Sequence, residues 1–395
     1  MRQQYEPSAD RIIALYQQLE DDILSAVIRR ILKMGYVSEA SKHQLEVLQA
    51  AGLLYDDIVQ LIADRTDACT AQVKALFEDA GVQTVAIDNS LHEAAGALPI
   101  DIRQDSSTRQ VLEAGYKKTL GTMRNLVSTT ATQTQTAFIQ TCDWIYMQVS
   151  SGAFSYQEAI MNALRVLADT GATVSYPTGH TDRMDVAVRR CVLTGVSQTA
   201  AAVSLRQAED AGCYLMEITA HSGARPDHAK WQGQLVTITG KDAGKIIDGL
   251  RVFTLSEIGY GSGEGFKGWN CRHNWHAYYP GFSTPNYTPE ELKKLDEPCI
   301  SYNGKLYTEY EVSQMQRAQE RRVRAWKRRC ITAQEGVNSA TDEATRATAQ
   351  AEFDRSARYL KTNEAKLKDF CRQTGQDRDR FREQVLGFNK STAQK

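Results

Sequence analysis

The stretch HSGARPDHAKWQG, His221 to Gly233, places two histidines, an Arg225-Pro226-Asp227 step and Trp231 within thirteen residues. Downstream, GYGSGEGFKGWNCRHNWHAYYPG adds Trp269, Asn270, Cys271, Arg272, His273, Trp275 and His276. Four of the seven histidines and three of the five tryptophans therefore fall between residues 221 and 276. Neutral imidazole and thiolate are the ligands zinc prefers, and four of them close a tetrahedron. In an extended Trp269–His276 segment alternate side chains share a face, so Cys271 and His273 point one way and Asn270 and Arg272 the other. Pro226 suits the first position of a short helix ending at Gly233, which sets His228 and Trp231 on one face. His221, His228, Cys271 and His273 are then candidate ligands of one zinc ion, the only cofactor the sequence brings forward.

The same geometry has a plainer reading. Trp269, Cys271, His273 and Trp275 on one face also make an aromatic core, and neither H-x6-H nor C-x-H is a spacing specific to zinc. Arg225 and Arg272 each offer five donors, and a guanidinium bridging Asp227 and loop carbonyls would pin an irregular loop. For catalysis, His228 or His273 would serve as general base with Arg225 or Arg272 on a developing phosphate charge. Gly263, Gly265 and Gly268 spell GxGxxG, but they follow more glycine and lead into WNCRH instead of opening a helix. They predict a flexible loop and no dinucleotide site. GxxxxGK[ST], HExxH and GxSxG do not occur, so phosphate-loop, zincin and nucleophile-elbow chemistry lack their supports.

The elements that must carry this cluster are mostly helical. Ile12, Tyr16, Leu19, Ile23, Val27 and Ile31 recur at helical spacing between Ser8, a cap after Pro7, and Gly35, a stop. Weaker patterns cover 38–64 and 67–80, and a stretch with Gly96 and Pro99 then breaks the periodicity, which puts a boundary near 105. Helical patterns resume over 109–127 and 134–149, over 155–171 with Ser155 and Gly171 at its ends, and over 181–211. CYLMEITAH and QLVTITG suit strands, the second alternating like a hairpin strand. Pro280, Pro285, Pro289 and Pro298 mark a wrapping connector. The expected class is α+β, predominantly helical. A helical region covers 1–105, an α+β unit with a small sheet 106–285, and the connector with a basic helical tail 286–395.

With 395 residues, two or three packed units are expected. Forty-seven basic residues nearly cancel 48 acidic ones, which argues against a bulk nucleic-acid footprint. The balance is local: residues 301–395 hold 20 basic and 13 acidic side chains, a net of +7. Eight cysteines without a CxxC pair predict a reducing compartment, and the absence of an apolar leader or membrane-length run predicts no membrane partner.

Taken together, HSGARPDHAKWQG, GYGSGEGFKGWNCRH with its following YYPG, VSYPTGHTDRMDVAVRRCVLTGVSQTAA and YEVSQMQRAQERRVRAWKRR resemble the tailed-phage minor capsid protein 2 family, relatives of the Mu F-type head morphogenesis proteins. The resemblance spans most of residues 110–330. It rests most closely on His221, Gly223, Arg225, Pro226, His228, Gln232, Gly233 and Asn270 to His273. It implies a virion component in few copies, made in the host cytoplasm, associated with the portal vertex and capsid interior and needed for head assembly or DNA delivery; it implies no established enzyme, and a non-enzymatic role is expected. Where Mu F-type proteins often read CRC this chain reads CRH, and zinc accepts either ligand.

In the tail, Arg317, Arg321, Arg324 and Arg328 form one helical stripe, with Val323, Trp326 and Cys330 on another face, so one wet and one packed face are expected. A wet stripe would meet packaged DNA or an acidic partner protein. The apolar stripes of the N-terminal helices suit docking on the portal or another virion protein. The leading reading is a minor capsid and head morphogenesis protein. The alternatives are a metal-dependent hydrolase or nucleic-acid-modifying enzyme carried in the virion, and a DNA-binding accessory protein of the head.

Overall fold

The computed structural model describes residues 2–388 except 103, 177 and 386, with side chains from residue 9 onward. The fold is predominantly helical α+β. Helices α1 (Arg2–Met34), α2 (Ala40–Ala94) and α3 (Ser106–Ser150) come first, then α4 (Tyr156–Thr170). Helix α1 starts ahead of Pro7, so Ser8 is not its cap. The two patterns over 38–80 join in one 55-residue helix, and those over 109–149 in one of 45 residues. Between the joined patterns no Gly-Pro pair or proline interrupts the chain, and a lapse in apolar period does not break a helix whose backbone bonds are satisfied. Ser155 caps α4 in a capping box with Glu158, as the sequence places it.

A short hairpin follows, β1 (Thr173–Ser175) with β2 (Thr181–Arg183), where no strand was expected, and then α5 (Met184–Asp210). The central sheet is built from β3 (Leu215–Ile218), β4 (Leu235–Thr237), β5 (Ile246–Ile247), β6 (Leu250–Thr254) and β7 (Trp275–Tyr278), in the order β5-β6-β4-β3-β7. Only the β4/β6 pair is parallel. A one-turn helix, α6 (Pro226–Ala229), lies between β3 and β4. The proline-rich connector contains α7 (Pro289–Leu295), which Thr288 caps with Glu291, and it leads to the hairpin β8 (Ile300–Tyr302) and β9 (Lys305–Tyr307). Proline at the first helical position costs no hydrogen bond, which is why a proline-rich segment still forms a helix here. Helices α8 (Glu309–Ser339) and α9 (Glu343–Thr374) complete the order. No helix among the described residues is long and apolar enough to cross a membrane.

The contacts divide the chain into two units. One takes residues up to Arg11, Thr70–Met123 and Arg189–Gln314; the other takes Ile12–Cys69, Arg124–Val188 and the residues from Met315 on. The segments 1–105, 106–285 and 286–395 follow sequence order, and each unit draws on several of them.

The first unit holds the sheet, both faces of which are covered. Met216, Ile218, Val236, Phe253, Trp275 and Ala277 pack with Ala201 and Ala208 of α5 on one side; Leu215, Leu235, Leu250, Val252 and Tyr278 form the core on the other. Strand β4 is buried throughout, as a strand covered on both faces must be. Also in this unit, α3 and α5 approach through a reciprocal pair of small residues. A Cβ on Gly115 would collide with the Thr199 side chain, and one on Gly195 with that of Thr119. The helix backbones meet there because both positions lack a side chain.

The second unit is helical apart from the β1/β2 hairpin. Tyr16, Leu19, Ile23 and Ile31 of α1 are buried in it, as their spacing predicts. Trp326 of α8 stacks on Tyr359 of α9 at 4.6 Å.

Candidate functional site

The site lies in the first unit, where two irregular segments leave the sheet. Beyond Ile218 the chain runs into the 221–233 loop, and Gly233 returns it by donating its N–H to the Ile218 carbonyl at 3.0 Å. Pro226 opens α6 after Arg225, whose backbone is extended as an N-cap requires. That turn carries His228 inward to 2 % exposure, and Trp231, equally buried, sits 4.5 Å from it ring to ring. Gly223 and Gly233 both have positive φ, and a Cβ on Gly233 would strike Leu292 of α7.

The second segment, 259–274, is a run of tight turns. Gly265 packs against the Gly259 carbonyl and Gly268 against that of Gly263, so closely that neither has room for a Cβ. The expected flexible loop is instead a backbone-packed knot, because the glycines serve close approach and not freedom. Asn270 adopts φ 57°, which reverses the chain and breaks the alternation expected across Trp269–His276. Trp269 is therefore turned out, 53 % exposed, and is not part of the inner aromatic face. From Cys271 on, Cys271, His273 and Trp275 are buried and Arg272 is exposed, while Asn274 between them is buried as well.

Three of the four candidate ligands converge. Ligand atoms of His228, Cys271 and His273 lie within 4.8 Å of one another, all buried. The fourth, His221, places its ring 4.4 Å from that of His273. Cys271 Sγ is 3.7 Å from His273 Nδ1, and His273 Nε2 donates to Gln232 Oε1 at 3.2 Å. Arg225 Nη2 donates to the Glu264 carbonyl, and His228 Nε2 lies 2.8 Å from that carbonyl and 2.7 Å from Arg225 Nη2. Arg225 also faces Asp227 at 3.5 Å, so this guanidinium ties α6 to the glycine-rich segment. Arg272 is exposed, and its charge acts on His221.

All three imidazoles are held neutral. Burial lowers the pKa of His221 and of His228, and burial with the neighbouring rings of His221 and His228 pushes His273 down to about 2. Neutral imidazoles with lowered pKa values are poor proton shuttles at neutral pH.

Several buried polar groups near the cluster carry no sequence signal. Lys267, 3 % exposed, donates to Asn274 Oδ1 at 2.7 Å and to Ser197 Oγ at 3.2 Å. On the opposite sheet face Glu217 is fully buried, accepting from the backbone N–H of Asn286 at 2.9 Å and from its side-chain amide at 2.8 Å, with His276 at 3.3 Å. His276 thus belongs to another group. Strand alternation is the one signal that could have separated it from His273, since the even-numbered positions of β7 face away from the odd ones.

The arginine stripe of α8, in the second unit, differs from expectation. Arg324 pairs with Asp185, and Arg328, 5 % exposed, faces Glu20 Oε1 at 3.5 Å. Arg317 pairs with Glu320 at 2.8 Å, and Arg321 is exposed. Half of the expected wet face, Arg324 and Arg328, is packed against acids brought from α5 and α1.

A family model described as phage minor capsid protein 2 matches residues 2–372. A structural protein of Lactococcus phage LL-H is 23 % identical over 333 residues, 81 % of this chain and 86 % of the relative. A structural protein of Lactococcus phage mv4 is 37 % identical over 81 residues, 20 % of this chain and 57 % of the relative. No solved structure matches.

Proposed function

The chain belongs to the phage minor capsid protein 2 family, and from that membership we propose that it is a low-copy virion component, seated at the portal vertex or capsid interior and required for head assembly. Its role as a structural protein of the virion follows from the family and from the relatives' names. The observation that carries the finer reading is the reach of the match, residues 2–372, which takes in the site cluster and most of both units. Burial agrees with it: His228, Cys271 and His273 are 1–2 % exposed, which suits a tie between loops better than a base that must meet a substrate. On α2, Leu45, Leu48 and Leu53 stand 58–62 % exposed, apolar side chains that another virion protein would cover. The DNA reading is weakened by the engagement of Arg324 and Arg328 with Asp185 and Glu20.

Inactivating the gene in its phage, with complementation in trans, tests the proposal. Infected cells are expected to yield few infectious particles and defective or empty heads, restored by complementation. Normal, infectious, DNA-filled particles lacking the protein would overturn it.

A further inference from the structure

We infer that the first unit holds one zinc-type divalent cation, ligated by His228, Cys271 and His273, with His221 closing the fourth position. The inference is independent of where in the virion the protein sits.

Gln232 Oε1 accepts from the backbone N–H of His221 at 3.3 Å while its amide nitrogen faces Asp296, which fixes the side chain's orientation. Oε1 is then an acceptor, so His273 carries its proton on Nε2 and turns the bare Nδ1 toward Cys271 Sγ, 3.7 Å away. Zinc bonds of about 2.3 Å to sulfur and 2.0–2.1 Å to nitrogen, at a tetrahedral angle, separate the two donors by about 3.6 Å. The observed spacing is that of two ligands of one cation.

The other rings repeat the pattern. His228 Nε2 is engaged outside the cluster, 2.8 Å from the Glu264 carbonyl and 2.7 Å from Arg225 Nη2; donating to that carbonyl, it leaves Nδ1 for the cluster. His221 Nδ1 donates to the Ser222 carbonyl at 2.8 Å, and its Nε2 is buried with no hydrogen-bond partner. His221 and His273 thus spend one nitrogen on an oxygen acceptor, and His228 engages one outside the cluster; each ring keeps the other nitrogen for the cluster, the arrangement that orients histidines around a metal. An aromatic core needs no such convergence. With four protein ligands the site is closed and structural. Cation binding takes Cys271 as thiolate and releases its proton to solvent, while the neutral histidines release none.

The test uses the tag-free full chain. Zinc is measured by elemental mass spectrometry, and metal-stripped protein is titrated with Co(II) while the thiolate-to-cobalt absorption band is followed. About one zinc per chain and a saturable band are expected. Cys271→Ser should abolish the band and lower bound zinc at least about tenfold, whereas Cys299→Ser, at an exposed thiol, should change neither. Gln232→Ala, which frees the His273 ring, should weaken Co(II) binding about 10–100-fold with the band retained. A wild-type titration without a thiolate band would overturn the site even if the variants fail to fold. Zinc retained at one per chain in Cys271→Ser would overturn it equally, and unchanged affinity in His221→Ala would remove His221 from the ligand set.

Discussion

Replacing Arg328 by alanine separates the two readings of the α8 stripe. A solvated arginine contributes little to stability, and removing it should matter only to a bound polyanion. In the structure Arg328 is 5 % exposed and Glu20 4 %. Burial pulls the pKa of Arg328 down to about 10 against the attraction of Glu20, so the side chain stays charged at neutral pH and depends on its partner. Removing one member of a buried pair costs about 3–5 kcal/mol. Here the lower end applies, because Glu20 keeps Arg183 at 2.7 Å. At about 2–4 °C per kcal/mol for a unit of this size, the midpoint should fall by about 6–12 °C. The control is Arg206→Ala, whose pair with Asp210 has side chains 44 % and 38 % exposed and should cost less than about 1 kcal/mol. Both are read by thermal unfolding of the purified chain followed by circular dichroism. An Arg328→Ala protein as stable as Arg206→Ala, but with weakened, salt-sensitive duplex DNA binding, would refute the packed reading and restore the wet one.

Gly195→Val should destabilise the first unit by about 1–3 kcal/mol, because the new side chain meets Thr119 where α3 and α5 approach; an unchanged urea midpoint would contradict that contact. Asp88, 2 % exposed and hydrogen-bonded by Ser204, has its pKa raised from 3.8 to about 6 by burial. The folded protein then binds more protons than the unfolded chain between those values, so this group makes stability fall as pH rises through that window and stay level above it. Asp88→Asn should therefore stabilise the protein by about 2–3 kcal/mol at pH 7.5 and leave it nearly unchanged near pH 3.5. Equal effects at both pH values in urea melts would contradict the assignment.

What the sequence reveals follows from which forces are local. The crowding of His221, His228, Cys271 and His273 is visible because residue type and alternation survive in short irregular segments, and the Pro226 turn is visible because proline suits a helix start. The outward turn at Trp269 is not, since it depends on a left-handed Asn270 within a run of packed glycines. Helical period places Ile12 to Ile31 in the core but cannot say how far α2 continues. It shows that Arg317 to Arg328 share a face and says nothing of Glu20 and Asp185, distant in the chain, that meet it. The alternation of QLVTITG locates β4, but it does not show that the strand is buried throughout or that it pairs in parallel with β6.

The central claim is that this protein is a low-copy part of the finished virion. It is tested most directly by quantitative mass spectrometry of purified, DNA-filled particles, counting its copies against those of the portal and the major capsid protein. Copies no more numerous than the portal's are expected. Absence from the particles, or abundance approaching that of the major capsid protein, would contradict the account.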